Sequence, residues 1–244
     1  MKKLIFTLLG IVLFLSLLCS FAAGVILNPA VMQSGFETLE GPDEMQVRAF
    51  GVTPADYGTY ARSIVTYLSG KGEKCTVPGP DGSETPAFPD ADGDESMSRQ
   101  DLHMKDVRGI MRGMVAARYF GCGGVLSVLC AWYLISRAKK SAFPLQEVLD
   151  GFSIASLILL GLFAALGVWA LCDFYGLFYK MHLLLFPGNT LWRLDPSRHL
   201  LMALMPLSFF RFYAGRLLTA LLPMLGIMIC LPVANFKYKK VSEK

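Results

Sequence analysis

The chain has 244 residues and only three histidines, His103, His182 and His199. An imidazole titrates near neutrality, so it can take a proton from one atom and return it to another at physiological pH. His103 stands in QDLHMKDVRGIM (100–111). On a helix there, Asp106 lies one turn further on, and Arg108 and Arg112 share another face. His182 stands in DFYGLFYKMHLLLFPGNTLW (173–192). Residues for other chemistries are missing. The sequence has no GxSxG elbow, no Gly-rich phosphate loop, no CxxC and no zinc-ligand spacing. Five of the six cysteines (Cys19, Cys122, Cys130, Cys172 and Cys230) lie in apolar runs. Cys75 falls outside them and is expected to be exposed in a flexible loop, a poor setting for a nucleophile. The acidic run Ala91-Asp-Gly-Asp-Glu95 lacks the distal bidentate Glu of an EF-hand and reads as a solvated loop.

The surrounding chain has to position these histidines in a membrane. Hydrophobic residues make up 54% of the sequence and charged ones only 17%, an unusual balance for a soluble domain. Four runs approach or exceed the roughly 20 apolar residues that span a hydrocarbon core: 4–27, 114–136, 152–174 and 212–235. They are apolar on every face, which excludes the alternation of a membrane barrel. The expected fold is therefore an all-α integral membrane protein, a single domain over 1–244 with four transmembrane helices. Lys2 and Lys3 precede the first span, Arg137, Lys139 and Lys140 follow the second, and Lys237, Lys239, Lys240 and Lys244 follow the fourth. Basic flanks stay inside, so both termini and the 137–151 turn are expected in the cytoplasm. A long loop (28–112) and a shorter interfacial segment (175–211) are then extracytoplasmic. Lys180, Arg193, Arg198 and Arg211 in the shorter segment run against that rule; the even number of spans between two basic termini decides the orientation.

The first span also has the basic start of a signal peptide, with Ser20-Phe21-Ala22 as a cleavage site. Its apolar run continues to Leu27, longer than a usual signal core, and favours an uncleaved helix. In the long loop, 37–68 is expected to form short helices. Thr53-Pro54-Ala55-Asp56 resembles a helix start with Pro at the first position, and Tyr57, Tyr60, Ile64, Tyr67 and Leu68 recur at helical spacing. Residues 70–98, rich in Gly, Pro and Asp, are expected to be flexible. Residues 173–192 continue the third span too far to cross with it and should bend into the outer interface, where Phe174, Tyr175, Phe178, Tyr179 and Trp192 form an aromatic belt. That places His103 and His182 on different helices at one depth. Arg118, Asp173 and Arg216 are the ionisable residues that enter a span.

LHMKDVRGIM (102–111), MHLLLFPGNTLWRLDP (181–196) and PLSFF (206–210) together resemble a bacterial four-helix membrane family, the lipoprotein intramolecular transacylases. The resemblance covers the whole chain and its combined motifs are fairly specific. It implies that His103 and His182 are the catalytic residues. Asp106, Arg118, Trp192 and Asp195 are the expected supporting or substrate-binding residues. The chain departs from the family pattern at His199 and Leu207, where acidic residues are usual.

The reaction implied moves the sn-2 acyl chain of a diacylglyceryl-cysteine to that cysteine's own amine, leaving an N-acyl lyso-form lipoprotein. It needs no enzyme nucleophile and no cofactor or metal. Its partners are the diacylglyceryl lipoprotein and membrane lipid, with no nucleic acid and no obligate protein partner. The expected location is the cell membrane, with the active site at the extracytoplasmic face. Two other readings remain open. One is a metal-dependent hydrolase with His103, His182 and Asp106 as ligands; the other is a non-catalytic membrane subunit or chaperone whose histidines merely anchor an interface.

Overall fold

The computed structural model describes residues 1–79, 81–88 and 98–242, so the 91–95 acidic run lies outside the described residues. In chain order the elements are α1 (Lys2–Ile26), α2 (Pro29–Phe36), α3 (Pro42–Ala49), α4 (Tyr57–Leu68), β1 (Thr76–Pro78), β2 (Glu84–Pro86), α5 (Arg99–Ala138), α6 (Leu145–Cys172), α7 (Phe174–Leu185), α8 (Leu200–Leu204) and α9 (Leu207–Ser242). Helices α1, α5, α6 and α9 are each long and apolar enough to cross a membrane. Their large apolar side chains, among them Leu8, Phe120, Leu134, Ile158 and Leu222, point outward, as a hydrocarbon solvent allows and water does not. At 40 residues, α5 is about 60 Å long, roughly twice the hydrocarbon thickness. Its first turns (99–112) carry Arg99, Asp101, Lys105, Asp106, Arg108 and Arg112 and therefore lie outside the spanning part.

The chain divides into two compact units. The first comprises Met1–Phe21, Met114–Cys172 and Thr219–Lys244. Small residues let its helices approach closely. A Cβ on Gly151 of α6 would lie 2.5 Å from Phe6 Cβ and 2.7 Å from the Thr7 backbone nitrogen of α1. One on Gly10 of α1 would lie 2.8 Å from Ala155 Cβ of α6. Polar groups tie α1, α6 and α9 at one end. The buried Asp150 carboxylate meets Lys3 Nζ at 2.9 Å and Lys239 Nζ at 2.6 Å, and it accepts from Gln146 and Asn235.

The second unit, Ala22–Gly113 and Asp173–Leu218, has an ordinary apolar core. Helix α2 packs on α4 through Met32, Phe36, Ala61, Ile64 and Leu68, all 4% exposed or less. Phe209 stacks on Phe36 with ring centroids 5.4 Å apart. Fully buried Gln100 of α5 accepts the Leu201 N–H of α8 at 2.8 Å. Asp173 separates α6 from α7 and caps the latter, its carboxylate accepting the Gly176 N–H at 2.8 Å. The apolar continuation of the third span is thus a helix of its own.

Three expectations need correction. Residues 70–98 are not simply a flexible loop. β1 and β2 form an antiparallel hairpin with Val77 opposite Thr85, closed by the Asp81 carboxylate on the Ser83 N–H and hydroxyl. The fold is the expected helical membrane protein, with a small hairpin among the described residues. Cys75 is not exposed but 2% accessible; the Ala87 N–H bonded to its carbonyl extends the hairpin pairing to it, and the adjoining β1 packs on α4. Burial pushes its thiol up to about 12, further from reactivity than an exposed thiol. Finally, α4 begins at Tyr57 rather than beside Pro54. The Asp56 carboxylate turns back to Thr53, accepting its N–H at 2.9 Å and its hydroxyl at 2.8 Å, and caps no helical N–H.

Candidate active site

All three histidines lie in the second unit and are buried, with 8% exposure for His103 and His182 and 6% for His199. Burial favours the neutral form of a base. It pushes His103 down to about 4, helped by the neighbouring His182 and opposed by Asp106. His182 is also lowered by burial, with the Phe178 carbonyl working against the shift.

His103, from the first turns of α5, and His182, from α7, face each other with ring centroids 6.3 Å apart. Phe186, which follows α7, holds both, with centroids 5.1 Å from His103 and 5.7 Å from His182. Phe178 and Trp192 close on His182 at 4.2 and 5.1 Å. His182 Nδ1 lies 2.9 Å from the Phe178 carbonyl oxygen. A carbonyl only accepts, so Nδ1 carries the proton and Nε2 keeps its lone pair. His103 Nδ1 is buried with no hydrogen-bond partner among the described residues. Such a polar atom in an apolar pocket is costly unless a ligand meets it.

A turn after α7 ties the two helices together. Asn189 donates to Asp106 Oδ2 at 2.6 Å and accepts the Leu191 N–H at 2.9 Å on its own side-chain oxygen. Its backbone carbonyl accepts Trp192 Nε1 at 3.1 Å. The Arg99 guanidinium anchors the same turn at the Thr190 carbonyl, at 2.5 Å. Gly188 adopts φ +79°, which admits the reversal.

The sequence-predicted residues separate accordingly. His103, His182 and Trp192 come together, and Asp106 joins them through Asn189. Asp195 instead closes its own turn. Its carboxylate accepts the Ser197 hydroxyl and N–H, which hold it below the usual carboxylate range. Its backbone meets His199 Nδ1 at 3.0 Å. Arg118 belongs to the first unit, where it lies over the Tyr119 ring and donates to that hydroxyl at 2.6 Å. Among the described residues no three His, Cys, Asp or Glu side chains cluster as metal ligands would. Sequence reasoning missed Asn189 and Phe186, and it assigned Phe178 to the aromatic belt rather than to the site. Only the Pro187-Gly188-Asn189 turn signal marked the first, and it says nothing of a partner on α5.

Among the described residues, four apolar helices of spanning length define a multi-pass helical membrane protein, here with a buried histidine pair. The model of the lipoprotein intramolecular transacylase (Lit) family matches residues 7–210, and the chain belongs to that family. No curated protein matches it in sequence. Among solved structures, the integral membrane lipoprotein intramolecular transacylase Lit from Bacillus cereus shares the fold, with TM-score 0.67 and 18% identity over 98% of each chain. Two variants of that protein, with one histidine replaced by arginine or alanine, match at TM-score 0.59. The arginine variant is 17% identical over 98% of this chain and 94% of its own, the alanine variant 18% over 98% and 96%.

Proposed function

We propose that the chain catalyses O-to-N acyl transfer within a single lipoprotein substrate, the sn-2 acyl group of the diacylglyceryl-cysteine passing to the α-amine of the same cysteine, with His103 and His182 moving the protons. The observation that carries this reading is the buried pair of imidazoles presented by two different helices. The amine nitrogen attacks the ester carbonyl carbon, the new C–N bond forms, and the bond from that carbonyl carbon to the glyceryl oxygen breaks. The amine proton must leave and the glyceryl oxygen must gain one, so the reaction is a balanced isomerisation without co-reactant. Neutral His182, with Nε2 free, is the proton acceptor. Two adjacent imidazoles disfavour double protonation, so the pair holds one proton at a time and passes it to the leaving alkoxide. Such general acid–base steps contribute about 10²–10⁴ in rate, and holding amine and ester together on one bound substrate lowers the barrier further. Asp106 fixes the turn beside the pair rather than touching substrate.

The basic residues that flank the spans support a site at the extracytoplasmic face, with both termini cytoplasmic. Lipoprotein N-terminal peptides measured by mass spectrometry, with and without the chain, test the reaction. His103→Ala and His182→Ala should each abolish the N-acyl lyso product at normal membrane level, and the double variant should resemble each single one. His199→Ala should retain most activity. Near-normal conversion by His103→Ala refutes the assignment. A cysteine placed at exposed Ser83 should react with an impermeant thiol reagent in intact cells and one at Ser141 should not; the reverse pattern overturns the placement.

A further inference from the structure

An open cleft of about 640 Å³ lies along α5 beside the histidine pair, and its charges are unbalanced. Lys105, Arg108 and Arg112 line one wall, and Ile110, Leu185 and Phe186 supply apolar surface. The three cations are spaced i, i+3, i+7 and so share one face of the helix. Two of them converge: a Cβ on Gly70 would lie 3.7 Å from Arg112 Nε and 4.0 Å from Arg108 Nη2. Arg108 lies over the Tyr67 ring at 4.7 Å, and its Nε is buried with no hydrogen-bond partner among the described residues. Asp106 also lines the cleft, but its Oδ2 is already bonded to Asn189. None of the three cations forms an ion pair among the described residues. Converging guanidinium groups repel one another and bind oxyanions bidentately.

The cleft sits where α5 passes from charged turns (99–112) to its apolar run (114–136). A ligand there meets cations and grease side by side. We infer that this cleft binds the phosphodiester headgroup of an anionic glycerophospholipid, with a chain along Leu185 and Phe186, beside the histidine pair. The inference is independent of the acyl-transfer reading, because its readout is retained lipid rather than product.

The test uses the full-length protein in mild detergent, titrated with phosphatidylglycerol, phosphatidylcholine or inorganic phosphate and read by native mass spectrometry. Phosphatidylglycerol should bind preferentially, and rising salt should weaken it. Lys105→Gln with Arg112→Gln removes two exposed charges, each worth about a factor of five near a lipid surface, so binding should fall about 25-fold. Arg108→Gln, which leaves both of those charges, should weaken it about fivefold or more. Lys71→Gln with Lys74→Gln, an equal charge change on exposed residues outside the cleft, should leave it within about threefold. Equal affinity for phosphatidylcholine, unchanged binding by the cleft variants, or displacement by millimolar inorganic phosphate alone would each overturn the inference.

Discussion

Asn189→Ala isolates what the turn contributes. The substitution removes the 2.6 Å bond to the Asp106 carboxylate and the 2.9 Å bond from the Leu191 N–H. A hydrogen bond to a charged group contributes about 1.5–3 kcal/mol and a neutral one about 0.5–1.5, so the closed turn loses roughly 2–4 kcal/mol. If all of that reached the barrier, the rate would fall about 30- to 1,000-fold. The remaining ties, Trp192 Nε1 to the residue-189 carbonyl and Arg99 to the Thr190 carbonyl, survive the change and hold the turn in part. The expected loss is therefore about ten- to a hundredfold in turnover. The substrate constant should change little, because Asn189 positions Trp192 and Phe186 against the histidines rather than holding substrate. Asp106→Ala removes only the bond the two residues share and should cost somewhat less, and the double variant should cost no more than Asn189→Ala alone. Conversion of a synthetic diacylated lipopeptide by purified protein, followed by mass spectrometry alongside a thermal melt, measures both quantities. Activity of Asn189→Ala within threefold of the parent, or strictly additive effects in the double variant, would refute a positioning role.

Gly151→Ala should destabilise the first unit by about 1–3 kcal/mol, because the added methyl would sit 2.5 Å from Phe6 Cβ; a lowered unfolding midpoint in detergent checks it. Asp150→Ala strands Asn235 and Gln146 and releases Lys3 and Lys239. With both lysines partly exposed, the expected cost is about 1–3 kcal/mol, below that of a fully buried pair, read the same way, and Asp150→Asn should recover part of it. Stability should also depend on pH through His103, whose folded value is pushed down to about 4 from 6.5. Between those values the unfolded chain binds more protons, so stability is full above about pH 6.5 and falls as the pH drops toward 4, by about 3 kcal/mol in all. Melts from pH 4 to 7 should show this slope in the parent and a shallower one in His103→Ala.

The membrane architecture was legible in the chain itself, for a physical reason. A spanning helix must be apolar on every face for some twenty residues, and that requirement is local, written in consecutive residues such as those of α1 and α6. The histidines were legible as well, because few other residues can exchange protons at neutral pH. The sequence reading also expected Tyr57, Tyr60, Ile64, Tyr67 and Leu68 to recur at helical spacing; four of them are buried and Tyr60 is half-buried.

What the sequence could not decide is which distant groups meet. His103 and His182 lie on separate helices, and their 6.3 Å approach depends on the tertiary packing of α5 and α7. Asn189 reaches Asp106 across 83 residues, while Asp195, only a few residues further on, spends its carboxylate on Ser197. No local signal separates those two outcomes. Burial was likewise invisible for Cys75: a three-residue strand is too short to show an alternating pattern, and only its pairing with β2 and packing against α4 place the thiol inside. Spans are fixed by the solvent each segment must face, whereas a site is fixed by contacts between segments, and those form only when the chain has folded.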